Sequence, residues 1–361
     1  MSSARWSIQR EEGCCALATS LRSGHIYEQA QSLLPSAFSG RFALKALIRN
    51  LPSFMVKFFA RPYVAGDSLE SGLATARRLL DERDVLTSLD LLYEGVDDDA
   101  ALRDVVDVYT SMIDEVAGRF EGPIRPTVSL KPSSYTKRPL DRFPEEEPVG
   151  SFEAISKFAE QAKRCGVNLT IDMEDRSWTT WTLETATRLR AAGHEHVGVV
   201  LQTRLNRTAA DVEALPAGMR VRLVIGIYNE PESVATTDKR VMKERMLEYA
   251  KKLLERGHYV EFATHDSRYI RRFLEEIVPV SGARAGQYEV QMLFGVPMQA
   301  LQAQLRKGAI GSQGPVPVRL YVPFATSWEY AIAYCRRRLL ENPSMATAVM
   351  RNVGRVLTGR R

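Results

Sequence analysis

From residue 85 onward the chain alternates short apolar runs with longer amphipathic runs. The short runs, rich in leucine and β-branched residues, have the length of strands, whereas the long runs have the 3.6-residue period of helices. In SFEAISKFAEQAKRCG (151–166), Phe152, Ile155 and Phe158 recur at helical spacing, and Gly166 stands where a helix C-cap is expected. The pattern predicts eight strands, at 85–92, 127–131, 168–172, 197–202, 221–226, 259–265, 288–293 and 318–323.

This alternation predicts an α/β fold. Eight strands in about 250 residues favour a (β/α)8 TIM-like barrel. A doubly wound sheet would alternate in the same way, but no G-x-G-x-x-G turn follows the first strand. Residues 1–80 read as helices, so we divide the chain into an N-terminal helical segment, 1–80, and a barrel domain, 81–361. One of the helices, SLESGLATARRLLDERD (68–84), begins at a serine with a poor capping box.

The amino-acid composition and net charge make some classes of function less suitable but do not select one. The 361 residues are 45% hydrophobic and 26% charged, with a net charge of +5 and a pI near 9.0. Arginine is spread along the chain rather than clustered in one tract. Diffuse basicity suits acidic small molecules or a loose attraction to anionic membranes, and it argues against a nucleic-acid-binding module.

Cysteine usage and the N-terminus predict a reducing, cytoplasmic compartment. The four cysteines form no Cys-x-x-Cys pair and share no metal-ligand spacing with the five histidines, so no metal site is predicted. The first residues, MSSARWSIQREEGCC, include acidic side chains and lack the apolar core of a signal peptide. No run of about 18 apolar residues is present to predict a membrane-spanning helix.

Polar side chains stand at the ends of most predicted strands. In a (β/α)8 barrel the carboxyl ends of the strands carry the catalytic groups. Arg222 lies inside the fifth strand and Tyr228 just beyond it, and the polar end residues are Lys131, Asp172, Gln202, His265, Gln291 and Tyr321. Singly, Lys131 suits a solvent-facing loop position, Asp172 a helix cap and His265 a hydrogen-bonded core position. Together, at equivalent positions of successive strands, they indicate one site.

The segment YAIAYCRRRLLEN (330–342) predicts a final helix that covers the barrel mouth. At helical spacing one side of it carries Tyr330, Tyr334, Arg337, Arg338 and Glu341. This side is either a solvated basic face with one ion pair or, together with Lys131, a trap for a carboxylate. No serine–histidine pair or two-metal carboxylate cluster accompanies it. The residues therefore suit an anionic small molecule held near a cofactor that performs the chemistry.

In order along the chain, the stretches VSLKPSS, TIDMED, VVLQTRLNRT, RLVIGIYNEP, FATHD, YEVQMLFGV, RLYVPFATSW and YCRRRLLEN resemble the proline dehydrogenase family. The resemblance extends from about residue 56 to residue 345 and is greatest to the short monofunctional bacterial enzymes. It implies FAD-dependent oxidation of L-proline to 1-pyrroline-5-carboxylate, which is the first step of proline catabolism. The oxidation would proceed by hydride transfer from proline C5 to flavin N5. It further implies a quinone as the electron acceptor, for which a peripheral membrane contact would be useful.

The resemblance also implies roles for individual residues. Arg222 would stand beside flavin N5, where a cationic donor stabilises negative charge on the reduced ring. The FAD site would further include Gln202, Val224, Gly226, Tyr228, Thr264, His265 and Gln291. Tyr228 and Leu293 would shape the substrate pocket. The clamp for the substrate carboxylate would be formed by Lys131, Arg337 and Arg338. These groups would be oriented by Asp172, Tyr321 and Glu341. The catalytic set implied is Arg222, Lys131, Asp172 and Tyr321.

Three positions depart from the family pattern. The family usually has R-L-V-K-G-A-Y where this chain has Ile225 in place of lysine and Ile227 in place of alanine, and Ala325 stands where glycine is common. Neutral drift with a compensating neighbour explains these changes if proline remains the substrate. A second hypothesis is the same flavin scaffold acting on another cyclic or N-substituted amino acid, such as hydroxyproline or pipecolate. A third is a flavin-free barrel that binds anions.

Overall fold

A computed structural model describes residues 52–93, 96–311 and 314–341, without the side chains of residues 54, 55, 59 and 337–341. Most of the predicted N-terminal helical segment, and the residues after 341, lie outside this range. The predicted division at residue 80 therefore stays a prediction. Within the described residues, no helix is long and apolar enough to cross a membrane.

The described residues form a closed barrel of eight parallel strands in sequential order, each hydrogen-bonded to the next and the last to the first. All eight predicted strands are confirmed, and the doubly wound alternative is wrong because its sheet would remain open. The strands are β1 (Leu86–Leu92), β2 (Thr127–Leu130), β3 (Leu169–Ile171), β4 (Val197–Gln202), β5 (Arg220–Val224), β6 (Tyr259–Ala263), β7 (Tyr288–Leu293) and β8 (Val318–Ala325).

Helices surround the barrel and confirm the amphipathic segments that the sequence predicts. They are α1 (Ser53–Ala60), α2 (Leu69–Arg83), α3 (Asp99–Arg119), α4 (Ser151–Cys165), α5 (Arg176–Ala191), α6 (Thr208–Ala214), α7 (Lys239–Glu255), α8 (Ser267–Arg272), α9 (Gln299–Arg306) and α10 (Trp328–Glu341). A π-helical turn (Phe273–Ile277) continues α8.

The hydrophobic core lies between the outer face of the barrel and the helices. Phe262 of β6 stacks on Phe273 with ring centroids 4.2 Å apart. On another side Tyr109, Tyr135 and Phe158 form a cluster with centroids 5.3–5.5 Å apart. These aromatic contacts bury large areas, so the packing of the helices onto the sheet supplies most of the hydrophobic stabilisation.

The last helix packs at the carboxyl end of the barrel, as predicted. α10 contacts α1, β1 and β8. Tyr330 stacks on Tyr93, just after β1, with ring centroids 4.3 Å apart. The ring of Tyr334 lies 5.6 Å from Lys131 Nζ. The end of the barrel that carries the predicted site is thus covered by an aromatic surface.

The N-terminus of α2 differs from the prediction. A poor capping box is expected at Ser68, but Ser71, three residues on, completes a reciprocal one. Ser71 N donates to Ser68 Oγ and Ser68 N donates to Ser71 Oγ, each over 3.2 Å. A serine hydroxyl at this position can replace the usual glutamate because it, too, accepts a hydrogen bond from the N-cap amide.

We expect Ser68→Ala to lower the free energy of unfolding by about 1 kcal/mol, because it leaves the Ser71 amide without its acceptor. Chemical denaturation with an unchanged m-value would measure this loss. Glu82→Ala on the same helix is the control, because the Glu82 carboxylate lies 4.0 Å from its basic partner Arg78. This substitution should change the free energy of unfolding by less than about 0.5 kcal/mol. Equal effects of the two substitutions would contradict a role for the box.

Candidate active site

Arg222 of β5 points into the barrel, where the residue is 4% exposed. Nη1 donates to Asp172 Oδ1 over 2.7 Å and to Ser129 Oγ over 3.2 Å. Nε donates to Gln291 Oε1 over 2.7 Å and lies 3.4 Å from Glu261 Oε2. Burial alone would lower the pKa of Arg222, but the carboxylates of Asp172 and Glu261 raise it. The guanidinium is therefore a fixed cation on the barrel interior.

Asp172 joins Arg222 to Tyr321 of β8. The Tyr321 hydroxyl donates to Asp172 Oδ2 over 2.7 Å, and the ring lies 5.2 Å from the Arg222 guanidinium carbon. Burial raises the pKa of Tyr321 well above its usual value, so the phenol stays a donor. The cap of α5 is Asp175, whose Oδ1 accepts from Ser177 N over 3.0 Å. The helix-cap alternative for Asp172 is therefore wrong.

Lys131 follows β2 and forms an ion pair with Asp90 of β1. Its Nζ lies 2.5 and 2.7 Å from the two carboxylate oxygens. Burial would lower the pKa of Lys131, but the Asp90 carboxylate and its neighbours raise it above the usual value. The solvent-facing alternative for Lys131 is therefore wrong, since the ammonium is held in place at the barrel mouth.

A cavity of about 320 Å³ opens at this mouth. It brings together Lys131 and Tyr228, both predicted for the substrate pocket, with Tyr334 of α10. Glu174 also lines it and was not predicted. Both Glu174 oxygens accept from Ser133, one from the amide over 2.8 Å and one from the hydroxyl over 2.6 Å.

Gln202, Arg204 and Gly226 meet at the ends of β4 and β5. The Gln202 amide donates to the Glu174 carbonyl over 2.8 Å. Its Oε1 is buried and has no partner among the described residues, and the same holds for Arg204 Nε. Gly226 has a φ of +89°, and a Cβ there would lie 2.4 Å from Gln202 Oε1. The backbone conformation favours glycine, and a Cβ would in addition displace the Gln202 side chain.

The ends of β6 and β7 carry the other predicted residues. His265 Nε2 accepts from Leu293 N over 2.8 Å, and burial lowers the pKa of His265, so the neutral ring carries its proton on Nδ1. Thr264 N donates to the Gln291 carbonyl over 3.1 Å. The Leu293 side chain is 43% exposed. Val224, at the end of β5, is half-buried.

The remaining predicted residues belong to α10. The backbones of Arg337, Arg338 and Glu341 continue this helix, but their side chains lie outside what the structure describes. Their place in a carboxylate clamp therefore stays a prediction.

Comparison with known proteins decides the family. Residues 73–351 match the family model for proline dehydrogenase. The chain belongs to the proline dehydrogenase family. It is 34% identical to a proline dehydrogenase of Deinococcus radiodurans over 81% of this chain and 89% of that one. It is 30% identical to proline dehydrogenase 1 of Bacillus subtilis strain 168, over 86% of this chain and 95% of that one. The predicted family and enzyme class, an oxidoreductase, are thereby confirmed.

Solved structures support the barrel fold alone, because their identity to this chain is low. A crystal structure of proline utilization A from Bdellovibrio bacteriovorus, inactivated by N-propargylglycine, matches 79% of this chain with a TM-score of 0.66 at 20% identity. A structure of proline utilization A with proline bound in remote sites has a TM-score of 0.62 at 23% identity. This chain spans about a third of the length of these proteins.

The three positions at which the sequence departs from the pattern that the resemblance implies have different surroundings. Ile225 is half-buried and packs against the core, and its carbonyl accepts from Arg204 N over 3.2 Å. Ile227 is 45% exposed, next to Tyr228. Ala325 is buried and paired in register with Leu92. All three positions thus carry apolar side chains, one exposed, one half-buried and one buried.

Sequence reasoning missed most of the charged interior. The missed residues, besides Glu174 and Arg204, are Asp90, Arg220, Glu261, Glu289 and Arg319. A signal for them exists: β6, β7 and β8 each alternate polar and apolar residues, as in Glu289–Val290–Gln291. Strands of a parallel barrel, covered on both faces, usually read as continuous apolar runs. Alternation therefore indicates that one face, here the barrel interior, is built from polar groups.

Glu174 should make stability depend on pH. Burial raises the pKa of Glu174 to about 7 from its usual 4.5. Between these values the folded protein keeps a proton that the unfolded chain loses, so this contribution is complete below pH 4.5 and is lost as the pH rises through 7. Between pH 5 and pH 8 we expect wild type to lose on the order of 2 kcal/mol more unfolding free energy than Glu174→Gln.

Urea unfolding at both pH values measures this difference. Glu153→Gln, at an exposed position of α4, is the control and should follow wild type. If Glu174→Gln shows the same pH dependence as wild type, the buried carboxyl is not its source.

Proposed function

We propose that the protein oxidises L-proline to 1-pyrroline-5-carboxylate with FAD as its cofactor. The observation that carries the proposal is the Arg222 cation, held inside the barrel by Asp172 and Gln291 below a cavity that Lys131 lines. Family membership supports the same reaction, since two relatives matched over most of their length are named proline dehydrogenases. A fixed cation in a dry site stabilises negative charge as it develops.

The residues at the strand ends fit a flavin. Among the described residues, Gln202 Oε1 is a buried acceptor without a donor and Arg204 Nε is a buried donor without an acceptor, and Gly226, which has no Cβ, lets the Gln202 side chain approach the backbone. A polar heterocycle that presents both a donor and an acceptor would satisfy them. We propose that the FAD is held by Gln202, Arg222, Val224, Gly226, Tyr228, Thr264, His265 and Gln291. When bound, FAD supplies the two-electron acceptor for the hydride from proline C5.

Basic residues of the chain suit the carboxylate end of proline, away from C5. The Lys131 ammonium binds the proline carboxylate, and we propose that Arg337 and Arg338 complete this clamp from α10. Tyr228 and Leu293 shape the pocket, while Asp172 and Tyr321, with Glu341, orient the neighbouring groups. The proline nitrogen loses a proton as C5 loses its hydride, so the product carries a C=N bond. A quinone, reached through a peripheral membrane contact, then takes the two electrons.

One observation favours a second candidate. Ile227 is bulkier than the family's usual alanine, is 45% exposed, and directly precedes Tyr228, which lines the cavity. A reshaped pocket would suit a different cyclic or N-substituted amino acid, such as hydroxyproline or pipecolate, with the same flavin and the same charge arrangement.

The visible spectrum of the purified protein, recorded anaerobically before and after L-proline is added, tests the proposal. We expect a flavin band that bleaches with proline, and faster bleaching than with hydroxyproline or pipecolate at equal concentration. A band that only one of the other amino acids bleaches would transfer the function to the second candidate. A protein that binds no flavin even after incubation with FAD would overturn both and favour a flavin-free anion-binding barrel.

Gly226→Ala should weaken FAD binding at least about tenfold, because the new Cβ would displace the Gln202 amide and because alanine disfavours the positive φ that residue 226 has just after β5. Fluorescence titration of the flavin-free protein with FAD measures the dissociation constant. Gly257→Ala is a matched control, since Gly257 also has a positive φ, of +77°, but a Cβ there meets no atom within 4 Å. Equal FAD affinity in the two variants would sink the assignment of Gly226 to the flavin site.

A further inference from the structure

The amide of Gln291 is held in one orientation by two buried carboxylates. Its Nε2 donates to Glu261 Oε2 over 2.7 Å and to Glu289 Oε1 over 2.6 Å. An ionised carboxylate only accepts hydrogen bonds, so the NH2 end of the amide must face Glu261 and Glu289. The carbonyl end is then directed at Arg222 and accepts from its Nε. The two glutamates therefore determine which atom of Gln291 meets the arginine.

The two carboxylates have different surroundings. Besides Gln291, two other residues donate hydrogen bonds to Glu289. Arg319 Nε and Nη2 donate over 2.6 and 3.1 Å, and the Tyr259 hydroxyl donates over 2.8 Å. Arg319 and its neighbours lower the pKa of Glu289 to about 2 against the opposing effect of burial. Glu261 is 1% exposed, and its Oε2 is the oxygen that lies 3.4 Å from Arg222 Nε. Glu261 thus acts on Arg222 both directly and through Gln291.

We propose that Glu261 is a positioning residue that holds Arg222 in its catalytic orientation and offsets part of its positive charge, and so sets the affinity and reduction potential of the bound flavin. This inference rests on the proposed function, because it assumes that FAD lies against Arg222. The physical reason is the low dielectric of the barrel interior. Charges are screened less in this interior than in water. A carboxylate a few ångströms from a guanidinium therefore has a larger effect there on the electric field that reaches a bound flavin.

A simpler role for Glu261 must be separated from this one. Its Oε1 accepts from Arg220 Nη2 over 2.7 Å, and Arg220 also stacks over the Tyr259 ring at 4.1 Å. If Glu261 serves only to neutralise Arg220, removing both charges together should restore wild-type behaviour. If it acts on Arg222, removing both should restore stability but leave the flavin altered.

The experiment compares Glu261→Gln, Arg220→Gln and the double variant with wild type. Three quantities are measured on each: the FAD dissociation constant, the anaerobic midpoint potential of the bound flavin, and the melting temperature of the flavin-free protein. Glu248→Gln, at an exposed position of α7, is the control for the loss of one surface carboxylate. The double variant covers the case in which a single buried substitution prevents folding.

We expect Glu261→Gln to bind FAD roughly tenfold more weakly, the effect of replacing the charged acceptor of the Gln291 amide with a neutral one. Its flavin potential should move in the positive direction, because the Arg222 charge is less compensated and favours the reduced ring. Arg220→Gln should move the potential in the opposite direction, since it leaves Glu261 more negative toward Arg222. The double variant should regain the melting temperature but keep the weaker FAD binding and the positive shift.

Wild-type affinity and potential in the double variant would restrict Glu261 to pairing with Arg220 and overturn the inference. Unchanged potential and affinity in Glu261→Gln would do the same. Failure of the proposed function gives a different result: wild type itself would bind no FAD, and the positioning role would fall with it.

Discussion

The buried guanidinium of Arg222 is the constraint on which the barrel interior depends. A charge removed from water costs several kcal/mol or more unless it is paired and hydrogen-bonded. Here Asp172, Gln291 and Ser129 supply hydrogen bonds from three different strands, and Glu261 supplies a further charge. These partners can all reach one guanidinium only if the sheet is closed. Closure of the barrel and assembly of the site are therefore the same event in physical terms.

Because of this requirement, the barrel interior is polar and charged, which is unusual for a (β/α)8 barrel. Barrel interiors are commonly filled by layers of branched aliphatic side chains. Here Arg220, Arg222, Arg319 and Lys131 are matched inside or at the mouth by Asp90, Asp172, Glu261 and Glu289. Hydrophobic stabilisation is left to the layer between sheet and helices, where contacts such as Phe262–Phe273 lie. The interior is free to be organised for charge, because the outer layer holds the fold together.

A polar interior arranged during folding suits catalysis for a second reason. Dipoles and charges that are already oriented need no reorganisation when charge develops on a bound group. Asp172 and Tyr321 hold one side of Arg222, and Gln291 holds the other.

The sequence by itself determined the architecture and predicted part of the polar group inside the barrel. The period and length of the apolar runs predicted all eight strands, with ends that differ by at most two residues, because covered parallel strands need apolar outer faces. Polar strand ends predicted Lys131, Asp172 and Arg222 as one group. Only the tertiary structure decided the partners: Lys131 pairs with Asp90, and Gln291 is oriented by Glu261. These two contacts join residues 41 and 30 positions apart, and they depend on strand register and inward direction. A run of residue types along one chain does not contain that information, since the same glutamate reads equally well as a solvated surface group until the closed barrel turns it inward.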